Sequence, residues 1–137
     1  VLIAIRQRVP ALFVAASALG AGALNALLKI AFSRPRPLLM SHLAHAGGYS
    51  FPSGHAMAGA AIYGALAVVA VRRFPERRWW VVAPCVLLVA AIGVSRVYLG
   101  VHFPSDVIAG WAVGASWPIW LGPLLLARSS IGPAPGP

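Results

Sequence analysis

Four uncharged apolar runs alternate with short polar breaks along the chain. Val9–Leu28 holds 20 residues without a charge, and at about 1.5 Å per helical residue that is enough to cross a hydrocarbon core of roughly 30 Å. Ala56–Val71, Trp79–Ser95 and Val107–Ala127 are the second, third and fourth runs. Val1–Ile5 reads as the tail of an earlier span, with Arg6 and Arg8 in a short basic loop after it. Ser33–Phe51 reads as a loop, because each residue before a proline in Arg34-Pro35-Arg36-Pro37 is pushed to extended geometry. Within it Leu38–Ala46 is mildly apolar and is expected at the membrane interface, where His42 and His45 would be ordinary polar residues. Ser53 is expected to cap the helix that starts at Pro52-Ser53-Gly54-His55. Trp79 and Trp80 mark an interface, and Gly110 with Gly114 gives the last run a small-residue face for close packing. The expected fold is an all-α polytopic transmembrane helix bundle, four spans plus the N-terminal stub of a fifth. Residues 1–128 form its one domain, and the Pro/Gly-rich tail 129–137 is expected to be disordered.

Composition strengthens the membrane reading. The chain is 60% hydrophobic and 9% charged, with mean hydropathy +0.83, whereas soluble domains carry about 25% charged residues. A net charge of +9 would suggest nucleic acid in a soluble chain. Here most of the charges flank spans, so the partner is the lipid bilayer and no nucleic acid is expected. Cys85, the one cysteine, can form no internal disulfide. The chain begins in an apolar stretch without Met, and a trimmed or incomplete N-terminus is expected.

Charge placement then separates the two membrane faces. Arg6, Arg8, Arg72, Arg73, Arg77, Arg78 and Arg128 lie at one set of span ends, which the positive-inside rule makes cytoplasmic. Lys29, Arg34, Arg36 and Arg96 fall at the other, together with His55, His102 and Asp106. A His–Asp pair four residues apart is, alone, more often a structural ion pair. Beside these cations it reads as functional: one turn of helix lets Asp106 fix the tautomer of His102 and free the other ring nitrogen to attack. The surplus of positive charge calls for an anion. Arginine forks, a lysine and the open amides after Ser53 suit phosphate oxygens better than a carboxylate. A metal-held mechanism is disfavoured, since Asp106 stands without a second carboxylate on that face. Covalent catalysis by histidine remains.

Three segments resemble the motifs of the type 2 phosphatidic acid phosphatase (PAP2) superfamily, in its membrane lipid phosphatase branch. They are Lys29 followed after six residues by Arg36-Pro37, then Pro52-Ser53-Gly54-His55, then Ser95-Arg96 with His102 and Asp106 at the family spacing. The resemblance covers Leu24–Trp117. It implies that His102 is the nucleophile, oriented by Asp106, and that His55 is the general acid and later the base. It implies that Lys29, Arg36, Ser53, Gly54 and Arg96 bind the substrate phosphate, with no metal and no cofactor. Arg34 lies outside the motif and is left as an electrostatic helper. Membrane members usually have six helices with the site on the last four, so the first pair is expected to be missing here. The function implied is hydrolysis of a lipid phosphate or diphosphate (undecaprenyl diphosphate, phosphatidate or phosphatidylglycerophosphate) at the outer face of a bacterial plasma membrane. Alternatives are transfer of the phosphoryl group to another lipid, or lipid binding without turnover. Vanadium haloperoxidases share the motifs but are soluble, which four apolar runs oppose.

Overall fold

The computed structural model describes residues 2–37 and 47–126, with side chains from Arg8 onward. It contains α1 (Leu2–Phe32), α2 (Gly54–Arg73), α3 (Arg78–Tyr98) and α4 (Pro104–Leu126), with a short 3₁₀ turn, Pro75–Arg77, between α2 and α3. By length and composition four helical stretches can cross a membrane: Arg8–Phe32, Gly54–Arg73, Pro75–Tyr98 and Pro104–Leu126. The expected interfacial segment Leu38–Ala46, with His42 and His45, lies outside the described residues, as do Arg128 and the tail 129–137.

The spans match the apolar runs, but their ends differ. Leu2–Ile5, expected as a separate stub followed by a basic loop, is continuous with α1. A charged residue does not break a helix: arginine is a good helix former, and Pro10 stands inside the helix. At its other end α1 runs one turn past Leu28, so Lys29 sits in the last turn. Ser33 stops it with a left-handed φ of 43°, its amide bonded to the Lys29 carbonyl at 2.9 Å. α4 begins at Pro104, three residues ahead of its apolar run, because proline is preorganised for the first helical position.

α2 is the central helix and packs against each of the other three. Apart from Met57 its buried face is made of small residues: Ala56, Gly59, Ala60, Ala61, Ala65 and Ala70. Two apolar clusters lie along it. Ala65 meets Phe13 and Leu126, and Met57 and Ala61 meet Ala21. The expected small-residue face of α4 is used as such. A methyl group added at Gly110 would sit 2.8 Å from the Ser53 carbonyl oxygen, and one at Gly114 would overlap the Met57 carbonyl. Lipid offers no hydrophobic gain for helix association, so this backbone approach supplies the contact. α3 differs: Gly93 is its one buried residue, while Val86, Leu87, Val94 and Tyr98 are exposed. Such a surface fits a hydrocarbon environment, not water.

The packing predicts opposite outcomes for two glycines. Gly114→Ala drives a methyl into the α2 backbone and should lower stability by about 1–3 kcal/mol. Gly22 has open space around it, and Gly22→Ala should leave stability unchanged or raise it by up to about 1 kcal/mol. Thermal midpoints in detergent check both; equal midpoints for the two variants would contradict the close α2–α4 contact.

Candidate active site

The first turn of α4 is built by its own sequence. Pro104 occupies the first helical position, and Asp106 lies two residues on. The Asp106 Oδ2 accepts the Phe103 backbone N–H at 2.9 Å, the carboxylate half of a capping box. Asp106 is fully buried and His102 is 5% exposed. The ring Nδ1 faces Asp106 Oδ2 at 3.5 Å, long for a hydrogen bond. On the ring's other side, Arg36 NH1 stands 3.3 Å from Nε2. A guanidinium can only donate, so this geometry assigns the lone pair to Nε2 and the ring proton to Nδ1. Burial, reinforced by the nearby Arg36 charge and opposed by Asp106, lowers the His102 pKa from 6.5 to about 4. The ring is therefore neutral at physiological pH.

Arg36 is held from several directions. NH1 also donates to the Val101 carbonyl at 2.8 Å, Nε to Gly48 at 3.1 Å, and NH2 to Gly47 at 3.0 Å. Lys29 Nζ donates to the next carbonyl, that of Tyr49. Both motif cations thus meet the backbone of the 47–49 segment, and Arg36 joins that segment to His102.

The start of α2 adjoins the start of α4 through one backbone bond, from the Ser53 N–H to the Asp106 carbonyl oxygen at 2.9 Å. Ser53 stands at the N-cap, yet its hydroxyl makes no capping bond. The Oγ is buried and has no protein partner among the described residues. The amides that open α2 have no intrahelical acceptors, so this end can receive an anion. Gly54 permits close approach: a Cβ there would lie 3.2 Å from Asn25 Oδ1, and Asn25 Nδ2 donates to the Pro52 carbonyl at 3.3 Å. His55 follows in the first turn of α2, with its side chain exposed.

The structure therefore gathers His102, Asp106, Arg36, Ser53 and Gly54, brings Lys29 from the last turn of α1 onto the adjoining 47–49 segment, and puts His55 at the same end of the bundle. Arg96 is less engaged. It lies in the last turn of α3 and donates through Nε to Ser95 Oγ at 3.1 Å. Among the described residues it makes no hydrogen bond to His102 or Arg36. Ser50 and Ser105 join the arrangement without having been singled out from the sequence, and Arg34, expected only as an electrostatic helper, has a defined partner in it. Ser50 is buried, and it anchors the Arg34 and Pro35 carbonyls through its N–H (2.8 Å) and hydroxyl (3.0 Å). Ser105 accepts a bond from Arg34 at 2.8 Å. Arg34 also pairs with Asp106 Oδ1 at 2.8 Å. A signal for Arg34 was present: in an extended segment residues i and i+2 share a face, so Arg34 should accompany Arg36. No group of three or more His, Cys, Asp or Glu side chains converges as a metal-ligand set among the described residues.

Comparison with known proteins identifies the family. A model of the PAP2 superfamily matches residues 10–128. The phosphatidylglycerophosphatase B of Bacillus subtilis is 38% identical over 96 residues, covering 66% of this chain and 46% of that protein. The lipid A 1-phosphatase of Rhizobium johnstonii is 36% identical over 119 residues, covering 80% of this chain and 45% of that protein. The undecaprenyl-diphosphatase of Sulfolobus acidocaldarius is 38% identical, covering 62% and 36%. The chain thus spans less than half the length of these curated relatives. The crystal structure of a transmembrane PAP2-type phosphatidylglycerolphosphate phosphatase from Bacillus subtilis superposes with a TM-score of 0.77 at 28% identity, over 90% of this chain and 68% of that one. With four helices able to cross a bilayer and a family match over most of its length, the chain is an integral membrane protein and belongs to the PAP2 superfamily.

Proposed function

We propose that the chain hydrolyses the phosphate or diphosphate ester of a membrane lipid through a covalent phosphohistidine on His102. The observation that carries this reading is the ring's geometry: a buried neutral imidazole, its Nε2 lone pair meeting a guanidinium and its Nδ1 facing a buried carboxylate. The buried, unpartnered Ser53 hydroxyl beside the open end of α2 supports a phosphate oxygen as its partner. Relatives named as lipid phosphatases support the substrate class. The positive-inside count supports a site facing the periplasm or cell exterior of a bacterial inner membrane.

In this reading Nε2 attacks phosphorus as the bond from phosphorus to the lipid oxygen (or to the bridging diphosphate oxygen) breaks. His55, exposed to solvent, gives a proton to the departing oxygen. Positive charge develops on the ring and is met by Asp106. Arg36, Lys29, the Ser53 hydroxyl and the α2 amides bind the equatorial oxygens, where charge builds in the transition state. Arg96 serves there once a substrate draws it in. Water then attacks phosphorus, giving its proton to His55. The nitrogen–phosphorus bond breaks, inorganic phosphate leaves, and Nε2 regains its lone pair. No step calls on a metal or a cofactor.

Incubation with ³²P-labelled phosphatidate followed by an alkaline quench should leave label on the wild-type protein and none on His102→Ala. The variant should also lose phosphate release by at least about a thousandfold. Turnover persisting in His102→Ala would remove the nucleophile assignment. Chelator should leave the rate unchanged, and vanadate should inhibit as a mimic of the pentavalent state; loss on chelation alone would contradict the metal-free scheme.

The neutral state of His102 also has a consequence for stability. In the unfolded chain this histidine takes up a proton near pH 6.5, while the folded site resists protonation down to about 4. Nothing is lost above pH 6.5. As pH falls through that window the unfolded state binds more protons, and folding weakens by about 3 kcal/mol from this group. His102→Gln should therefore show a flatter decline of thermal midpoint between pH 7 and 4.5. An unchanged decline would contradict the depressed pKa.

A further inference from the structure

Arg34 lies outside the family motif, yet it makes the shortest side-chain contacts to the buried carboxylate. NH1 donates to Asp106 Oδ1 at 2.8 Å and to Ser105 Oγ at 2.8 Å. The guanidinium carbon lies 4.1 Å from the centroid of the Phe103 ring, in stacking range. Its backbone is fixed as well: the Arg34 and Pro35 carbonyls are bonded to Ser50, and Pro35 restricts Arg34 to extended geometry.

The geometry points to Arg34 as a positioning residue for His102, acting through Asp106. A carboxylate without solvent exposure needs a compensating charge or donors for its oxygens. His102 is uncharged before reaction, so the compensation comes from Arg34 on Oδ1. Oδ2 is held by the Phe103 N–H at 2.9 Å. With each oxygen fixed, the plane of the carboxylate cannot turn, and Oδ2 stays aimed at the ring Nδ1. As Nε2 bonds to phosphorus the ring keeps its Nδ1 proton, and the cationic ring forms beside the carboxylate that Arg34 and the Phe103 N–H hold in place. Arg34 and Arg36, two residues apart in one extended segment, thus divide the labour. One meets the nitrogen that attacks, and the other holds the group behind the opposite nitrogen.

This inference rests on the phosphohistidine reading above, and a double-mutant cycle separates the two. Wild type, Arg34→Met, Arg34→Lys, Asp106→Asn and the double variant Arg34→Met/Asp106→Asn are purified as the full chain in detergent and assayed on dioctanoyl phosphatidate. Arg34→Met should lower kcat by about 10- to 100-fold, as loss of a supporting partner does, with KM little changed. Arg34→Lys should recover a large part of that loss by restoring a cation. The double variant should match Asp106→Asn within about twofold, since Arg34 has nothing left to act upon. Additive losses, or a raised KM with kcat intact, would overturn the proposal while leaving the nucleophile assignment standing. Should Arg34→Met fail to fold, Arg34→Gln with and without Asp106→Asn gives the same comparison. A wild-type protein that releases no phosphate from any lipid phosphate would overturn both readings.

Discussion

A charge removed from water must be matched by other groups, and at Asp106 that requirement ties the functional end of the bundle together. The carboxylate takes one hydrogen bond from its own helix start and one from Arg34 in the α1–α2 connection, and it faces His102 in the turn that precedes α4. The backbone carbonyl of the same residue accepts the amide of Ser53, at the start of α2. Segments far apart in the chain are thus fixed to one residue. The glycines of α4 make this possible, since Gly110 and Gly114 let α2 come close enough for the two helix starts to meet.

Much of this was legible in the sequence, for physical reasons that can be named. The spans were visible because every backbone group in lipid must be satisfied within the segment, which forces long uninterrupted apolar helices. The one-sided clustering of Lys29, Arg36, His55, His102 and Asp106 followed from counting alternating spans. Helix ends were less legible. A basic residue inside a helix and one outside it look alike, so the pattern alone does not join Leu2–Ile5 to α1 across Arg6 and Arg8. The Ser53 side chain was harder still. Its position at the N-cap follows from residue type, but that its hydroxyl leaves the cap unbonded depends on where the α4 backbone lies.

Arg34 marks the boundary between what a motif encodes and what packing decides. Its spacing from Arg36 placed both on one side of an extended segment, yet no pattern said which would meet the histidine and which the carboxylate. That choice is a tertiary one: Arg36 meets the imidazole and Arg34 the carboxylate. The ionisable residues were found by type and their partners by tertiary approach.

The engagement of Arg36 has a last implication. Four of its five N–H donors are engaged by the carbonyls of Gly47, Gly48 and Val101 and by the imidazole. An arriving phosphate would exchange one set of acceptors for another, and such an exchange yields far less free energy than a bond made to an idle donor. Under the proposed reaction the gain on holding a phosphate would therefore come chiefly from the idle Ser53 hydroxyl and the open amides of α2, with Arg36 contributing orientation more than free energy.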